Sequence, residues 1–347
     1  MKTNYTDVGI ETIRKVYDYL RIDKEWSLIS ERGFTWWGHR QAQRVWADEP
    51  FEGSGMLITK INAETDSLIC SNRLEYPEDQ LAAYLCDSSL SGLVVDKDRI
   101  KYRCSAFIHE QNQHWLVPLF SLAVIMQAVE ASNMGFIFDG TFGLLTDHSQ
   151  HPDNGPRQYP DDMFAVTGGF IKPKSEEAIK NIGEEDFVSA SQIIGRGLDP
   201  VANGSGLSVT VPFGNDSALL LACKQTHPFL GKGLLITHIL PADQVEAVCE
   251  VNGSLIMDMN AAEQDSMNTG HFLGTWCLGP PVPDRKTPVF VSFIPAVACN
   301  RSVLVNMILS TLWHNTWAEE YFFPLGRDTR RLSREYQNSE RYEQYLN

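Results

Sequence analysis

The sequence predicts an α+β protein of two tandem domains, each an antiparallel sheet packed against helices, with an irregular connector between them. The chain has 347 residues, of which 43% are hydrophobic, which is enough material for two cores. In each half, short extended segments are followed by one long apolar helix. Because the second half repeats the element order of the first, an antiparallel sheet covered by a helix is favoured in each.

The first half has the predicted element order α-β-β-α-β-β-α. A helix from about Ile10 to Ile29 is indicated by apolar residues three and four positions apart. Pro77 and the acidic residues after it are typical of a first helical turn. The elements that follow the first helix are two extended segments at 33–46 and 55–68, a helix at 77–92, two strands within 93–109 and an apolar helix at 113–132.

A related order returns after a middle region rich in glycine and proline. Its closing helix carries an apolar stripe, as the first closing helix does, and such a stripe has to be covered by a sheet. The predicted elements are strands at 206–214, 217–226, 232–240, 270–278 and 288–297, a helix at 241–251 and a closing helix at 301–322.

Two residue pairs match between the halves. Phe107–Ile108 and Phe293–Ile294 precede the closing helices, and Leu116–Val117 and Leu304–Val305 lie within them. We therefore expect the two halves to superimpose as sheet-plus-helix units. The residues expected to be buried on the two helices are Leu116, Phe120, Ala123, Val124, Leu304, Ile308 and Leu312.

The predicted division of the chain has four parts. They are an N-terminal α+β domain at 1–135, a connector or insertion at 136–196, a C-terminal α+β domain at 197–325 and a polar tail at 326–347. The tail carries almost no aliphatic residues, so it is expected to be solvated or to order only against a partner.

Charge and composition restrict the classes of partner. The net charge of −15 and the pI near 5.0 argue against binding to nucleic acid or to an anionic membrane surface. The N-terminus lacks the hydrophobic centre of a signal peptide, and we expect a cytoplasmic protein without membrane insertion. The seven cysteines are scattered and never in CxxC spacing, which predicts small buried hydrophobes rather than a disulfide framework or a zinc site.

The densest group of metal-ligating residue types lies in the segment 147–153. It comprises Asp147, His148, His151 and Asp153, and imidazole with carboxylate suits zinc or iron. The favoured interpretation is a polar surface loop, since the spacing of a helical zinc motif is missing. Nucleophile-elbow and phosphate-binding motifs are also missing from the sequence, so no catalytic, cofactor-binding or metal residue is assigned and no cofactor is expected.

The stretch GFTWWGHRQAQRVW at 33–46 supplies the candidate binding residues. Strand alternation without a bulge places Trp36 and Trp46 on one side, which we expect to be structural, although the mixed character of both faces also favours a bulge or turn near Gly38. Trp37, His39, Arg40 and Arg44 are then the predicted partner-binding residues, because aromatic surface and arginine suit a peptide that carries carboxylates. The competing interpretation is that the tryptophans pack under the first and last helices while the arginines cap the edge of the sheet.

The run ERGFTWWGHRQAQRVWADEP, followed by GMLITKINAETDSL, resembles bacterial peptide-binding-chaperone-like domains related to type III secretion chaperones and YbjN. The resemblance covers the N-terminal half, and the C-terminal half by element order alone. It implies a small sheet that binds peptide segments or partner proteins, as a homodimer or as a pseudo-dimer of tandem domains, and it transfers no catalytic residue.

The sequence thus favours a non-catalytic protein- or peptide-binding module that is chaperone- or adaptor-like. Two alternatives stay open. One is an enzyme with an unrecognised site, for which metal assistance by the loop at 147–153 is one candidate form. The other is a structural component of a multiprotein secretion or defence assembly.

Overall fold

The computed structural model places most of the chain. The residues that it describes are 7–53, 55–70, 77–164, 167, 182–194, 198, 200–279 and 286–324.

The chain divides into two compact units. Unit 1 comprises residues 1–77 and 89–171, and unit 2 comprises residues 78–88 and 172–347. Each unit contains one antiparallel sheet with helices packed against it. The predicted α+β fold of two tandem domains is therefore confirmed.

The division differs from the predicted boundaries in two respects. The segment 78–88, which we placed in the N-terminal domain, belongs to unit 2, and the predicted connector at 136–196 is shared between the units. The predicted polar tail at 326–347 lies outside the described residues.

Unit 1 has two long helices and an eight-stranded sheet. The helices are α1 (Val8–Tyr19) and α3 (Gln113–Phe138). The strands are β1 (Ser27–Ile29), β2 (Gly33–Trp37), β3 (Ala42–Ala47), β4 (Phe51–Gly53), β5 (Met56–Cys70), β6 (Gly92–Asp96), β7 (Arg99–Ile108) and β8 (Leu144–Thr146).

Unit 2 has a six-stranded sheet, and it includes helix α2, which lies in the segment 78–88. Its helices are α2 (Glu78–Tyr84), α4 (Glu184–Ile194), α5 (Ala242–Glu246), α6 (Gly253–Asp265) and α7 (Arg301–Phe322). Its strands are β9 (Val201–Asn203), β10 (Gly206–Phe213), β11 (Asp216–His227), β12 (Gly231–Ile239), β13 (Thr275–Leu278) and β14 (Pro288–Pro295).

The two sheets have the same topology. The strand order is β1-β2-β3-β5-β7-β6 in unit 1 and β9-β10-β11-β12-β14-β13 in unit 2, and the extra strands β4 and β8 both pair with β5. In both sheets the strand at this end of the order, β6 or β13, comes before its neighbour, β7 or β14, in the chain. In both cases it is the first strand after a helical segment. The matched Phe–Ile pairs lie at the ends of the equivalent strands β7 and β14, and the Leu–Val pairs lie on the equivalent helices α3 and α7. Superposition of the two units stays a prediction.

The core of unit 1 lies between the sheet and helices α1 and α3. Trp36, Gln43, Thr65 and Tyr102 face one another across β2, β3, β5 and β7, and all four are buried. The Gln43 side-chain amide donates to the carbonyl of Val124 on α3 at 2.7 Å. Four apolar residues that we predicted to be buried on this helix are indeed buried: Leu116, Phe120, Ala123 and Val124.

Helix α3 is also the one helix among the described residues that is long and apolar enough to cross a membrane, by length and composition alone. Of its most apolar window, 67% is buried inside the protein. The apolar content of α3 therefore serves the core of unit 1, where the helix packs against β5 and β7.

Helix α1 is shorter than the sequence predicts. Asp7 caps its start by accepting from the backbone amides of Gly9 and Ile10. The helix ends at Tyr19, and Arg21 has a φ of 50° in the left-handed region. The chain between there and Ile29 forms a short 3-10 turn and strand β1 instead of continuing the predicted helix.

In unit 2 the closing helix α7 has the predicted bounds, and Asn300 caps it by accepting from the amide of Val303 at 3.0 Å. Leu304 and Ile308 are buried as predicted, whereas Leu312 is only half-buried, so its predicted burial is wrong. Helix α6, which begins after the capping residue Asn252, is an element that the sequence pattern does not predict.

Candidate functional site

The aromatic stretch at 33–46 is a hairpin. Strands β2 and β3 pair antiparallel, with Trp36 opposite Gln43 and Trp37 opposite Ala42, and the chain turns at residues 38–41. Trp36 is fully buried on the face that meets α3, which agrees with its predicted structural role. Trp46 is half-buried and donates from its indole nitrogen to Asp48 at 3.0 Å.

Trp37 lies on the other face of the sheet and is nevertheless buried, with an exposure of 5%. Its indole nitrogen donates to the Ser149 hydroxyl at 3.1 Å, and its ring meets the edge of His151 with 4.8 Å between centroids. The expectation that Trp37 is presented to a partner is therefore wrong. The reason is tertiary, because the loop after β8 covers the face that strand alternation left open.

His151 is held in this loop by the backbone. Its Nδ1 atom accepts from the amides of Asp153 and Asn154 at 3.2 Å, and its ring is buried against Trp26 and Trp37. This side chain orders the loop around the tryptophans.

The loop residues with metal-ligating side chains do not converge. Asp147 pairs with Arg99 at 2.6 Å, while His148 is exposed. Within the described part of the chain, no three His, Cys, Asp or Glu side chains are grouped as a metal site would need. The geometry therefore gives no support to metal-assisted chemistry at 147–153.

The hairpin turn presents His39, which is half-buried, and Arg40, which is exposed. The turn is held by backbone hydrogen bonds from Ser149 to the Arg40 carbonyl (2.8 Å) and from Asp161 to the Gly38 carbonyl (2.7 Å). Burial lowers the pKa of His39, and the nearby charges of Arg40, Arg157 and His148 lower it further. These effects favour the neutral form of His39, and the Arg40 guanidinium carries the exposed positive charge of the turn.

Arg44 is exposed but already paired. It lies opposite Glu64 across the β3–β5 ladder and contacts the carboxylates of Glu64 at 2.7 Å and Asp66 at 2.9 Å. Arg103, opposite Glu64 on β7, contacts the same carboxylate at 2.7 Å. Burial on its own would raise the pKa of Glu64, but the hydrogen bond from Arg103 and the charges of Arg103, Lys101 and Arg44 lower it.

The end of α3 and the segment that follows it carry four exposed apolar residues, which we call the apolar tip. Phe136 is 89% exposed, and Ile137, Phe142 and Leu145 are each about half exposed. The tip joins the end of α3 to β8 through a tight turn, closed by a hydrogen bond from the Gly140 amide to the Leu144 carbonyl at 2.8 Å.

Two backbone features shape the apolar tip. Phe142 has a φ of 51°, a strained conformation for an aromatic residue, and such strain is concentrated at functional sites. Gly135 lies so close to the hairpin turn that a Cβ atom there would be 3.2 Å from Gln41 Nε2 and 2.9 Å from Thr146 Cγ2. The hairpin turn therefore packs, through Gln41, against α3 at the residue that precedes Phe136.

Unit 2 has a polar cluster in its core. The Glu263 carboxylate accepts hydrogen bonds from Thr269 Oγ1 at 2.5 Å, Trp276 Nε1 at 2.5 Å and His314 Nδ1 at 2.6 Å. His314 also stacks on Phe290, with 4.0 Å between ring centroids. Since Glu263 and His314 have no solvent exposure and the carboxylate is satisfied by three donors, this pair stabilises helix packing and has no access to a substrate.

His238 extends this polar core. Its Nε2 atom donates to the Asn315 side-chain carbonyl at 3.0 Å, and the Asn315 amide donates to the Pro212 carbonyl at 3.1 Å. Burial lowers the pKa of His238 to about 3, although the hydrogen bond to Asn315 acts in the opposite direction. Asn315 and Gln127 occupy equivalent positions on the two closing helices. Asn315 follows Leu304 on α7 by the same number of residues as the buried Gln127 follows Leu116 on α3.

The apolar tip is not predicted by the sequence pattern. Its four apolar residues are indistinguishable in sequence from a helix end packed on a sheet. The one signal in the sequence for an exposed turn here is the pair Gly140 and Gly143, which follows α3. These glycines interrupt the apolar residues between Phe136 and Leu145 and so indicate that the helix has ended.

These features define an α+β protein of two topologically equivalent units, with an exposed apolar tip on unit 1 and a closed polar core in unit 2. Comparison of the chain with known protein families, curated proteins and solved structures finds no match.

Proposed function

We propose that this protein is a non-catalytic protein- or peptide-binding module, chaperone- or adaptor-like in action, that holds its partner on unit 1. The observation that carries the proposal is the apolar tip: Phe136, Ile137, Phe142 and Leu145. Exposed apolar side chains that are close together mark interaction sites, and aromatic residues dominate the binding energy of such sites. The resemblance to peptide-binding chaperones implies the same class of function.

Charge specifies the partner further. Arg40 lies in the turn whose Gln41 side chain reaches Gly135, the residue before Phe136, and among the residues that the structure describes no carboxylate pairs with its guanidinium. The nearby Asp139 accepts from the Thr146 amide at 2.8 Å, and Asp147 is held by Arg99. The surface therefore suits an extended segment with apolar side chains next to a carboxylate, which a guanidinium binds with two parallel hydrogen bonds.

The acidic character of the whole chain supports binding of such a segment at this site. With a net charge of −15, most of the protein surface repels a segment that carries carboxylates. Arg40 reverses the field locally, so an acidic and apolar segment is attracted at the apolar tip and disfavoured elsewhere.

A peptide array tests the proposal. We expect the labelled full-length protein to bind peptides that combine apolar residues with Asp or Glu. Phe136→Ser should weaken binding at least tenfold, and Arg40→Glu should remove the preference for acidic peptides while leaving apolar ones bound. Matched controls are Phe229→Ser, an exposed aromatic residue in unit 2, and Arg14→Glu, an exposed arginine on α1.

The decisive comparison is between Phe136→Ser and Phe229→Ser. Equal binding by these two variants and the wild type would refute the apolar tip as the binding surface. If Arg40→Glu binds acidic peptides as the wild type does, the charge argument fails while the apolar argument stands.

A further inference from the structure

The segment 78–88 is attached to unit 2 by polar contacts at both ends. At its start, the Asp79 carboxylate accepts from the Gly253 amide at 2.6 Å and pairs with Lys286 at 2.8 Å. At its end, the Asp87 carbonyl accepts from His227 Nε2 at 2.9 Å. Between these anchors a 3-10 turn, Leu85–Asp87, carries Cys86 against strand β13.

Cys86 and Cys277 are neighbouring thiols, although 190 residues separate them in the chain. The Cys86 thiol donates to the carbonyl of Leu278, the residue that follows Cys277 on β13, at 3.0 Å. The Cys277 thiol donates to the Val289 carbonyl at 3.3 Å. Cys86 is half-buried, so solvent reaches it, whereas Cys277 is buried on β13.

The contact makes the two thiols chemically unequal. The neighbouring Cys277 side chain lowers the pKa of Cys86, and its effect outweighs the burial and the Asp87 carboxylate, which act in the opposite direction. The same contact, together with burial, raises the pKa of Cys277. A reactive cysteine that is accessible and more easily ionised, beside a second thiol, is the arrangement of a redox-sensitive pair.

We propose that Cys86 and Cys277 form a reversible disulfide when the protein meets hydrogen peroxide. The Cys86 thiolate attacks one peroxide oxygen, the O–O bond breaks, and the departing hydroxide takes a proton to leave as water. The sulfur is thereby oxidised to sulfenic acid. The Cys277 sulfur then attacks the sulfenic sulfur, the S–S bond forms, and the hydroxyl leaves as a second water with the Cys277 proton. A dithiol reductant reverses the reaction by thiol–disulfide exchange.

The disulfide would join the segment 78–88 covalently to β13. In the reduced protein that segment is held by non-covalent contacts: the buried side chains of Leu81 and Leu85, the hydrogen bonds above and the ion pair of Asp79 with Lys286. Because a cross-link between distant residues restricts the unfolded chain most, oxidation should raise the melting temperature of the protein.

Differential alkylation with mass spectrometry tests the proposal on the full-length wild-type protein. After brief treatment with hydrogen peroxide, we expect a Cys86–Cys277 linked peptide that dithiothreitol removes. Cys249 is the matched internal control, since it is also half-buried but burial raises the pKa of its thiol. Cys86 should be consumed at least ten times faster than Cys249.

Variants identify the order of the two steps. In Cys277→Ser, Cys86 should stop at sulfenic acid, which dimedone traps. In Cys86→Ser, Cys277 should remain reduced. Two results with the wild-type protein alone would overturn the proposal. One is an equal oxidation rate at Cys86 and Cys249, and the other is a Cys86–Cys277 disulfide that forms only when urea has unfolded the protein.

Discussion

Trp37→Ala separates the two interpretations of the aromatic hairpin. The indole of Trp37 is 5% exposed, donates to Ser149 and packs edge-on against His151. Its truncation leaves a cavity beneath the loop after β8 and removes the partner of the Ser149 hydroxyl. Large-to-small replacement of a buried tryptophan costs about 3–5 kcal/mol of unfolding free energy.

The magnitude converts to a measurable shift. For a domain of this size, about 1 kcal/mol corresponds to roughly 2–4 °C in melting temperature, so we expect a loss of roughly 6–20 °C for unit 1. Urea unfolding followed by circular dichroism gives the free energy directly. Ser149→Ala should cost only about 1 kcal/mol, because it removes the hydrogen bond without the ring. Arg40→Ala, at an exposed position, should stay within about 0.5 kcal/mol of the wild type.

One result would refute this reasoning. If Trp37→Ala has the stability of the wild type and loses peptide binding, then Trp37 is a contact residue, as strand alternation alone predicts. A destabilised variant that still binds array peptides at low temperature would support the structural role.

Two further predictions concern unit 2. Leu304→Ala should cost about 2–5 kcal/mol in urea unfolding because Leu304 is fully buried, and Leu312→Ala should cost clearly less; equal losses would contradict the observed burial. Acid should also destabilise the protein through His238, whose pKa in the folded state is about 3 against an ordinary value of 6.5. Because the unfolded chain takes up the proton first, stability is full above pH 6.5 and falls toward pH 3, by up to roughly 5 kcal/mol. Unfolding curves of His238→Gln should show a weaker decline over that range, and an unchanged decline would assign it to other groups.

The closing helices show what can be predicted from local sequence. The bounds of α7, 301–322, follow from a continuous apolar pattern that begins after the capping residue Asn300. The turn near Gly38 and the burial of Trp36 are local too, since strand alternation and a glycine between two aromatic segments indicate both. The shared topology of the two sheets was visible as a repeated order of elements.

Helix α6 shows where local patterns fail. Its buried face includes Asn260, which bonds both backbone groups of Trp276 on the edge strand β13, and Glu263. Because polar residues stand where a helix normally carries apolar ones, the periodicity that reveals α3 and α7 is hidden in α6.

The sequence by itself determined the fold class, the strand-rich halves and the helices that close them, since each depends on residues close together in the chain. Tertiary structure alone decided the burial of Trp37, the exposure of Phe136, the meeting of Cys86 with Cys277 and the membership of 78–88 in unit 2. Each of these depends on segments far apart in sequence. Periodicity says which side of an element is apolar, but only packing says whether another segment covers that side.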